Sequence, residues 1–288
     1  MIYTLKNDTC RAACTEHGGE LISFVCDGTE YVWNGDSKYW PGQAPHLFPV
    51  VCSPKDGHVI YDGVSYPMKK HGFVRGAEFE AVELSPEHVV LENRWSEETL
   101  RSFPYHYTLR VTHRIAECSF STSYRITAEE DTVFCIGGHP GFMCPLPGGG
   151  TFEDYELHFR NASGAIMSLT ENGYMDPILP KLERIHNGVL PLKYSDFDRD
   201  AMIVENLPVK RVELISRLNG HGIRFSFDGF DALGIWTPTG KSAPFVCLEP
   251  WCGLPASVDE SGNAADKKYA ISLKSGEEFN VSYSATVI

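Results

Sequence analysis

Three short segments of the chain concentrate side chains able to exchange protons. They are Lys70-His71-Gly72-Phe73-Val74-Arg75, Cys135-Ile136-Gly137-Gly138-His139-Pro140-Gly141-Phe142 and Phe245-Val246-Cys247-Leu248-Glu249-Pro250-Trp251-Cys252-Gly253. In the second, an apolar stretch runs into two glycines, a histidine and Pro-Gly, which predicts a strand that stops and holds His139 where a sharp turn begins. Pro140 biases that histidine toward extended backbone. In the third, alternation puts Phe245, Cys247 and Glu249 on one side of a strand and Val246 and Leu248 on the other, leaving a carboxylate at the end of an apolar strand beside an indole. Taken singly, a histidine in a β-protein is usually a hydrogen-bonded filler, Glu249 can pair with an arginine, and Trp251 can be core. Taken together, imidazole and carboxylate make an acid/base pair. The indole beside them can then wall a sugar site, because an aromatic face packs on the C–H face of a pyranose.

These side chains lie far apart in the chain, so strands must bring them together. Leu109, Val111 and His113 alternate with Arg110, Thr112 and Arg114, and residues 120–124 and 223–227 alternate in the same way, as half-buried strands do. Val59-Ile60-Tyr61 and Val64-Ser65-Tyr66 are separated only by Asp62-Gly63, a pair that takes the positive φ angles of a type I′ hairpin turn. Turn signals recur at Ser85-Pro86-Glu87, Asp228-Gly229 and Ser275-Gly276, and residues 269–288 read as a closing hairpin. The pattern predicts roughly fifteen to twenty short strands. Helical periodicity is confined to Ser96-Glu97-Glu98-Thr99-Leu100-Arg101, with an N-cap serine and early acids, stopped by Pro104 within about two turns. The reading is an all-β chain forming one domain over 1–288, with long turn-rich stretches at 33–54 and 137–150 that build the site.

Composition excludes other partners. With 25 Lys+Arg against 38 Asp+Glu the formal charge is −13, which repels nucleic acid. No apolar run is long enough for a membrane helix and the N-terminus lacks the character of a signal peptide, so no membrane partner and a cytoplasmic location are expected. Nine irregularly spaced cysteines read as reduced, mostly buried thiols. Dinucleotide-binding, phosphate-loop and serine-elbow motifs are missing, so those chemistries lack their signatures, and without His-x-His, His-Glu-x-x-His or Cys-x-x-Cys a metal centre is expected only by tertiary accident.

Five pieces in order, Gly18-Gly19-Glu20-Leu21, Pro45-His46-Leu47-Phe48-Pro49, His71-Gly72-Phe73-Val74-Arg75, Gly138-His139-Pro140-Gly141-Phe142 and Leu248-Glu249-Pro250-Trp251, span most of the chain. In them the sequence resembles the aldose 1-epimerase (galactose mutarotase) family, specifically its divergent bacterial branch. The resemblance implies a large antiparallel β-sandwich of the galactose mutarotase-like supersandwich type, an open cleft, no cofactor and a small-molecule hexose as partner. It implies Glu249 as the base at the anomeric hydroxyl and His139 as the acid at the ring oxygen, Glu249 near its reference pKa and His139 near ~6.5. His71 becomes a second hydrogen-bond donor and Trp251 a substrate contact. The family's Asn-Arg pair is absent from Leu47-Phe48-Pro49-Val50-Val51-Cys52, which transfers the orienting role to Arg75. Of Asp196, Asp198 and Asp200, Asp200 is preferred as the substrate-binding carboxylate because it opens the apolar run Ala201-Met202-Ile203-Val204. Two alternatives stand beside the hexose mutarotase: a hexose-6-phosphate 1-epimerase, for which Lys69, Lys70 and Arg75 are the local cation supply, and a sugar-binding module of the same fold without turnover.

Overall fold

The alternation in the sequence becomes two large antiparallel sheets laid face to face. The computed structural model describes residues 1–171, 173–175 and 183–288, and among these it contains 25 short strands. A nine-stranded sheet runs in the order Val189–Pro191, Tyr155–Phe159, Arg211–Ser216, Gly222–Ser226, Glu278–Val287, Ser119–Ala128, Tyr107–Ala116, His88–Arg94 and Glu80–Leu84. An eight-stranded sheet runs Tyr174–Met175, Ile166–Glu171, Met202–Glu205, Ala232–Trp236, Phe245–Cys252, Ile136–Gly138 and His46–Leu47, with Gly141–Met143 also paired to Phe245–Cys252. Leu109, Val111, Tyr124 and Ile126 of the first sheet share one buried cluster with Val204, Leu233, Ile235, Val246 and Leu248 of the second. A sandwich core of this kind is what period-2 strands form when each buries one face.

The two sheets treat their outer faces differently. On the nine-stranded sheet, Arg110 reaches Glu92 at 2.6 Å and Arg125 reaches Glu278 at 2.7 Å, cross-strand pairs at the water surface. The eight-stranded sheet buries both faces: every residue of Phe245–Cys252 is buried. Val246 and Leu248 enter the inter-sheet core, while Phe245 and Cys247 pack against Trp33 on the far side. Loop residues Val51 and Cys52 cover that same far side around Trp251 and Ile203. Burial on both faces explains why this strand reads as a continuous apolar run.

A pair of neutral histidines ties the covering loops to the core. His46 and His113 stack at 5.6 Å, and each directs Nε2 at the Gly19 carbonyl, 2.8 Å away. A carbonyl can only accept, so both rings carry their hydrogen on Nε2, and their Nδ1 atoms accept from Tyr124 Oη at 2.8 Å and Thr122 Oγ1 at 3.0 Å. The next residue, Glu20, continues the chain of contacts: its Oε1 accepts the Gln43 and Ala44 N–H groups, each at 2.6 Å.

The structure bears out the Asp62-Gly63 turn, with φ angles of 48° and 79°. It corrects three other expectations. Gly137 and Gly138 lie within the strand Ile136–Gly138, which stops just before His139, but no sharp turn follows: Gly141–Met143 continues along the same partner strand, and a Cβ on Gly137 would lie 2.7 Å from Trp251 and one on Gly138 2.6 Å from Tyr283. Close packing requires them, not a turn. Residues 269–288 do not form a hairpin. Ile271–Leu273 pairs with Thr132–Phe134, whereas Glu278–Val287 carries Val281, Tyr283 and Ala285 into the main core and inserts between two strands of the larger sheet. Finally, the helix at 96–101 is a single 3₁₀ turn, Thr99–Arg101. Ser96 Oγ does accept the Thr99 N–H at 3.2 Å, but Phe103 and Tyr105 are buried and draw the chain inward at once.

Burial pushes His46 down to about 3 and His113 down to about 4, so the unfolded chain takes up protons that the folded chain refuses. Their contribution is complete above the ordinary histidine value of ~6.5 and is lost as pH falls toward 4. Urea unfolding at pH 7 and pH 5 should therefore show a loss on the order of 2 kcal/mol for each of the two; a stability that stays flat across this interval would contradict the neutral pair.

Candidate active site

On the outer face of the eight-stranded sheet, facing residues of adjacent strands line up by register. Gly234 stands opposite Glu249, and Ala232 and Gly137 stand opposite Trp251 from the two sides. The small residues make room for the indole, since a Cβ on Gly234 would fall 2.4 Å from Trp251 Cζ2. Trp251 therefore lies against the sheet as a floor, and Glu249 rises beside it. Glu249 is inside the strand rather than at its end, as the strand continues to Cys252.

Above this floor is an open cavity of about 660 Å³ lined by Trp40, Lys70, His71, Arg75, His139, Thr170, Asp200, Trp236, Glu249 and Trp251 among others, within the size range of small-molecule sites. His139 Nε2 and Glu249 Oε2 are 3.2 Å apart, and both side chains are buried. Trp40 stacks on the His139 ring at 4.9 Å, and Trp236 meets that ring edge-on at 5.5 Å. His71 lies perpendicular to His139, ring centres 5.4 Å apart. Its backbone is left-handed at φ 65° and followed by Gly72 at 75°, where a Cβ would collide with the Phe48 carbonyl, so the turn is locked. The Cys52 N–H donates to His71 Nδ1 at 3.1 Å. A neutral His71 consequently keeps its hydrogen on Nε2 and can donate it.

Burial sets the protonation of the pair and corrects the expectation of near-reference values. Loss of water raises Glu249 well above the usual carboxylate range, with Lys70 opposing and Asp200 adding to the rise. The same cause pushes His139 down to about 3 and holds His71 well below 6.5. The empty site thus favours a carboxylic acid donating to a neutral imidazole, an arrangement with one proton between two groups.

The three Asp candidates separate clearly. Asp196 is tied to Arg184 at 2.5 Å, Asp198 is exposed on the surface, and Asp200 lines the cavity. Asp200 adopts φ 128°, and its Oδ1 accepts the Trp236 indole N–H at 3.0 Å, fixing one wall. Arg75 follows His71 on the 3₁₀ turn Val74–Gly76 and lines the mouth with Lys70; neither makes an ion pair among the described residues. His139, Cys247 and Glu249 could each offer one atom to a metal ion within 4.8 Å, but the direct histidine–carboxylate contact already satisfies two of them. A second hollow of about 400 Å³, lined largely by Pro49, Val50, Val59 and Tyr61, holds Glu260 and Lys267, which pair with each other at 3.0 Å. It offers no comparable free acid and base.

Sequence reasoning did not assign Trp40, Trp236 or Thr170 to the site. Trp40 lies in the 33–54 stretch, where its carbonyl accepts the Trp33 indole N–H at 2.8 Å. Trp236 was within reach of inference, as the strand Ala232–Trp236 neighbours Phe245–Cys252.

A sequence profile of the aldose 1-epimerase family matches residues 1–286. The plasmid-encoded protein LacX of Lactococcus lactis subsp. lactis is 35% identical over 301 aligned residues covering all of both chains. Among solved structures, a galactose mutarotase related enzyme from Lactobacillus acidophilus superposes with a TM-score of 0.94 at 26% identity, covering 100% of this chain and 97% of that one. A galactose mutarotase-like protein from Lactobacillus casei gives 0.93 at 28% identity with full coverage of both.

A raised carboxylate contributes stability that is complete below its unfolded value and is lost as pH rises through its folded value. Glu249→Gln should therefore raise the melting temperature relative to the parent more at pH 8 than at pH 5. Equal losses at both pH values would show that the ionised form is the favoured one in the folded chain.

Proposed function

The chain belongs to the aldose 1-epimerase family, and from that membership we propose that it interconverts the α and β anomers of a hexose by general acid/base ring opening and closure. The observation that carries the reading is the 3.2 Å approach of His139 to Glu249 inside a solvent-open cavity walled by indoles. Anomer exchange removes a proton from the hydroxyl on C1 and gives one to the ring oxygen. The C1–O5 bond breaks, the aldehyde turns about C1–C2, and closure on its other face reverses both transfers. Glu249 takes the proton from the hydroxyl and His139 delivers one to the ring oxygen, while His71 donates a hydrogen bond beside it and Asp200 and Arg75 orient hydroxyls. No proton is gained or lost overall, so a pair holding one proton is the required inventory. The pyranose is met by Glu⁻ and HisH⁺, the open chain by GluH and neutral His.

Stacking on Trp40 supports the charged histidine when it forms, because an imidazolium over an indole face gains from the ring quadrupole. Trp40 and Trp236, near-perpendicular at 75° with centres 5.5 Å apart, offer two apolar walls for the faces of a sugar. One further observation favours a second reading, a hexose-6-phosphate: Lys70 and Arg75 line the same cavity without acidic partners among the described residues.

Anomer exchange followed by polarimetry or NMR on fresh α-glucose and α-galactose should be accelerated by the protein, and Glu249→Gln or His139→Asn should each reduce kcat by about 10²–10⁴-fold. Unaccelerated exchange across a panel of free and phosphorylated hexoses would leave a sugar-binding module instead. Lys70→Gln and Arg75→Gln separate the two substrate readings: a KM raised far more for 6-phosphates than for free hexoses marks the phosphorylated substrate, whereas effects of equal size on both, or turnover of free hexoses alone, mark the unphosphorylated one.

A further inference from the structure

Away from the cavity, three thiols converge at the edge of the small sheet formed by Ile2–Lys6, Cys10–Thr15, Leu21–Cys26 and Thr29–Glu30. Cys10 and Cys26 are partners across that sheet. The neighbouring pair is hydrogen-bonded, the Asp27 N–H donating to the Thr9 carbonyl at 3.2 Å. Alternation then makes Cys10 and Cys26 the closely approaching, non-hydrogen-bonded kind of pair, with both side chains on one face. The third thiol, Cys118, comes from the tight turn between Tyr107–Ala116 and Ser119–Ala128, where Glu117 holds the left-handed conformation at φ 49°.

The two turns are fastened to each other. Asn7 Nδ2, Thr9 Oγ1 and Cys10 Sγ all donate to the Glu117 carbonyl, at 3.4, 3.0 and 2.7 Å. Asn7 and Thr9, whose donations to this carbonyl do not depend on the Cys10 proton, fix the turn that presents Cys118 over the strand pair. All three sulfur atoms lie within 4.8 Å of one another. A trigonal ion with metal–sulfur bonds of about 2.3 Å requires sulfurs about 4 Å apart, which this spacing accommodates with small side-chain rotations. Cys10 and Cys26 are buried, and the half-buried Cys118 leaves a way in from solvent.

We propose that Cys10, Cys26 and Cys118 form a trigonal thiolate site for a thiophilic d¹⁰ metal ion, with cuprous copper as its occupant. The donor set selects the metal class: three sulfurs suit Cu(I), and no imidazole or carboxylate joins the cluster among the described residues to complete a tetrahedral zinc site or attract a hard cation. Binding breaks three S–H bonds and forms three Cu–S bonds; three protons go to solvent and copper remains in the +1 state. The positive charge of the ion is what draws the protons off the three sulfurs as it binds.

The test is an anaerobic titration of the reduced, full-length protein with Cu(I) against a chromogenic Cu(I) chelator. One equivalent should be withdrawn from the chelator. Cys118→Ser should weaken that binding by more than the roughly 10–100-fold that loss of an outer-shell partner costs, with the metal-free unfolding midpoint and anomer exchange unchanged; Cys26→Ser should weaken it likewise. Failure of the parent protein to compete with the chelator, or a Cys118→Ser variant that retains copper as tightly as the parent, would overturn the site.

Discussion

One proton shared between two buried groups governs the candidate site. Glu249 and His139 lie 3.2 Å apart with scarcely any exposure, and taking charge out of water is costly for each. Burial therefore favours the arrangement in which both are neutral, the carboxylic acid against the bare imidazole. In the proposed reaction that same arrangement accompanies the open-chain sugar, because opening moves one proton onto Glu249 and one off His139. Burial of the pair then stabilises the protein component of the uphill intermediate relative to the ion pair that meets the closed ring. Lys70, the Trp40 ring face and the hydroxyls of a bound sugar pull the other way and keep the ion pair accessible. Balance between these two protonation states, not a strong acid or a strong base, is what reversible chemistry at one carbon requires.

Holding this pair is the task of an unusually buried sheet. Glu249 occupies the centre of a strand whose neighbours offer glycine across from it and across from Trp251, so the sheet gives up side chains to admit an indole and a carboxylate on one face. The remaining walls come from loops, and these are anchored in depth. His46 and His113 clamp the Gly19 carbonyl; Glu20 holds Gln43 and Ala44; and the stretch they belong to brings Trp40 over His139. The segments Gly18-Gly19-Glu20-Leu21 and Pro45-His46-Leu47-Phe48-Pro49 thus act at a distance from the chemistry, by fixing a loop.

Much of this was legible in the sequence because it is periodic or local. Alternation at residues 109–114 predicted the buried face including His113, and Asp62-Gly63 predicted its hairpin, since strand faces and turn angles depend on adjacent residues only. The ionisable motifs around His71, His139 and Glu249 were visible as departures from such patterns, and the fold brings them to one cavity. Non-local facts were not legible. Gly137 and Gly138 look like a turn signal until the indole and tyrosine pressed against them are known, and the turn at Ser275-Gly276 looks like a hairpin until its two arms are found in different sheets. Trp40 and Trp236 carry no sequence mark separating a wall from a core residue. Protonation was misjudged for the same reason: the pKa of Glu249 depends on a degree of burial that a strand pattern does not state.

The cavity also has a charge polarity that bears on what it can hold. Lys70 and Arg75 line it with His71 and make no ion pair among the described residues, and the Asp200 that lines it too is spent partly on the Trp236 indole. In a chain of net charge −13, two cations that make no ion pair among the described residues add positive potential beside the hollow where the overall field is negative. A neutral hexose would use this arrangement only through hydroxyl hydrogen bonds, which each end could supply equally well with uncharged groups. An anionic hexose derivative would use the asymmetry directly, its charge toward Lys70 and Arg75 and its hydroxyls toward Asp200, and that difference in how the charges are employed is the physical ground for placing substrate identity at the mouth of the cavity and reaction type at its floor.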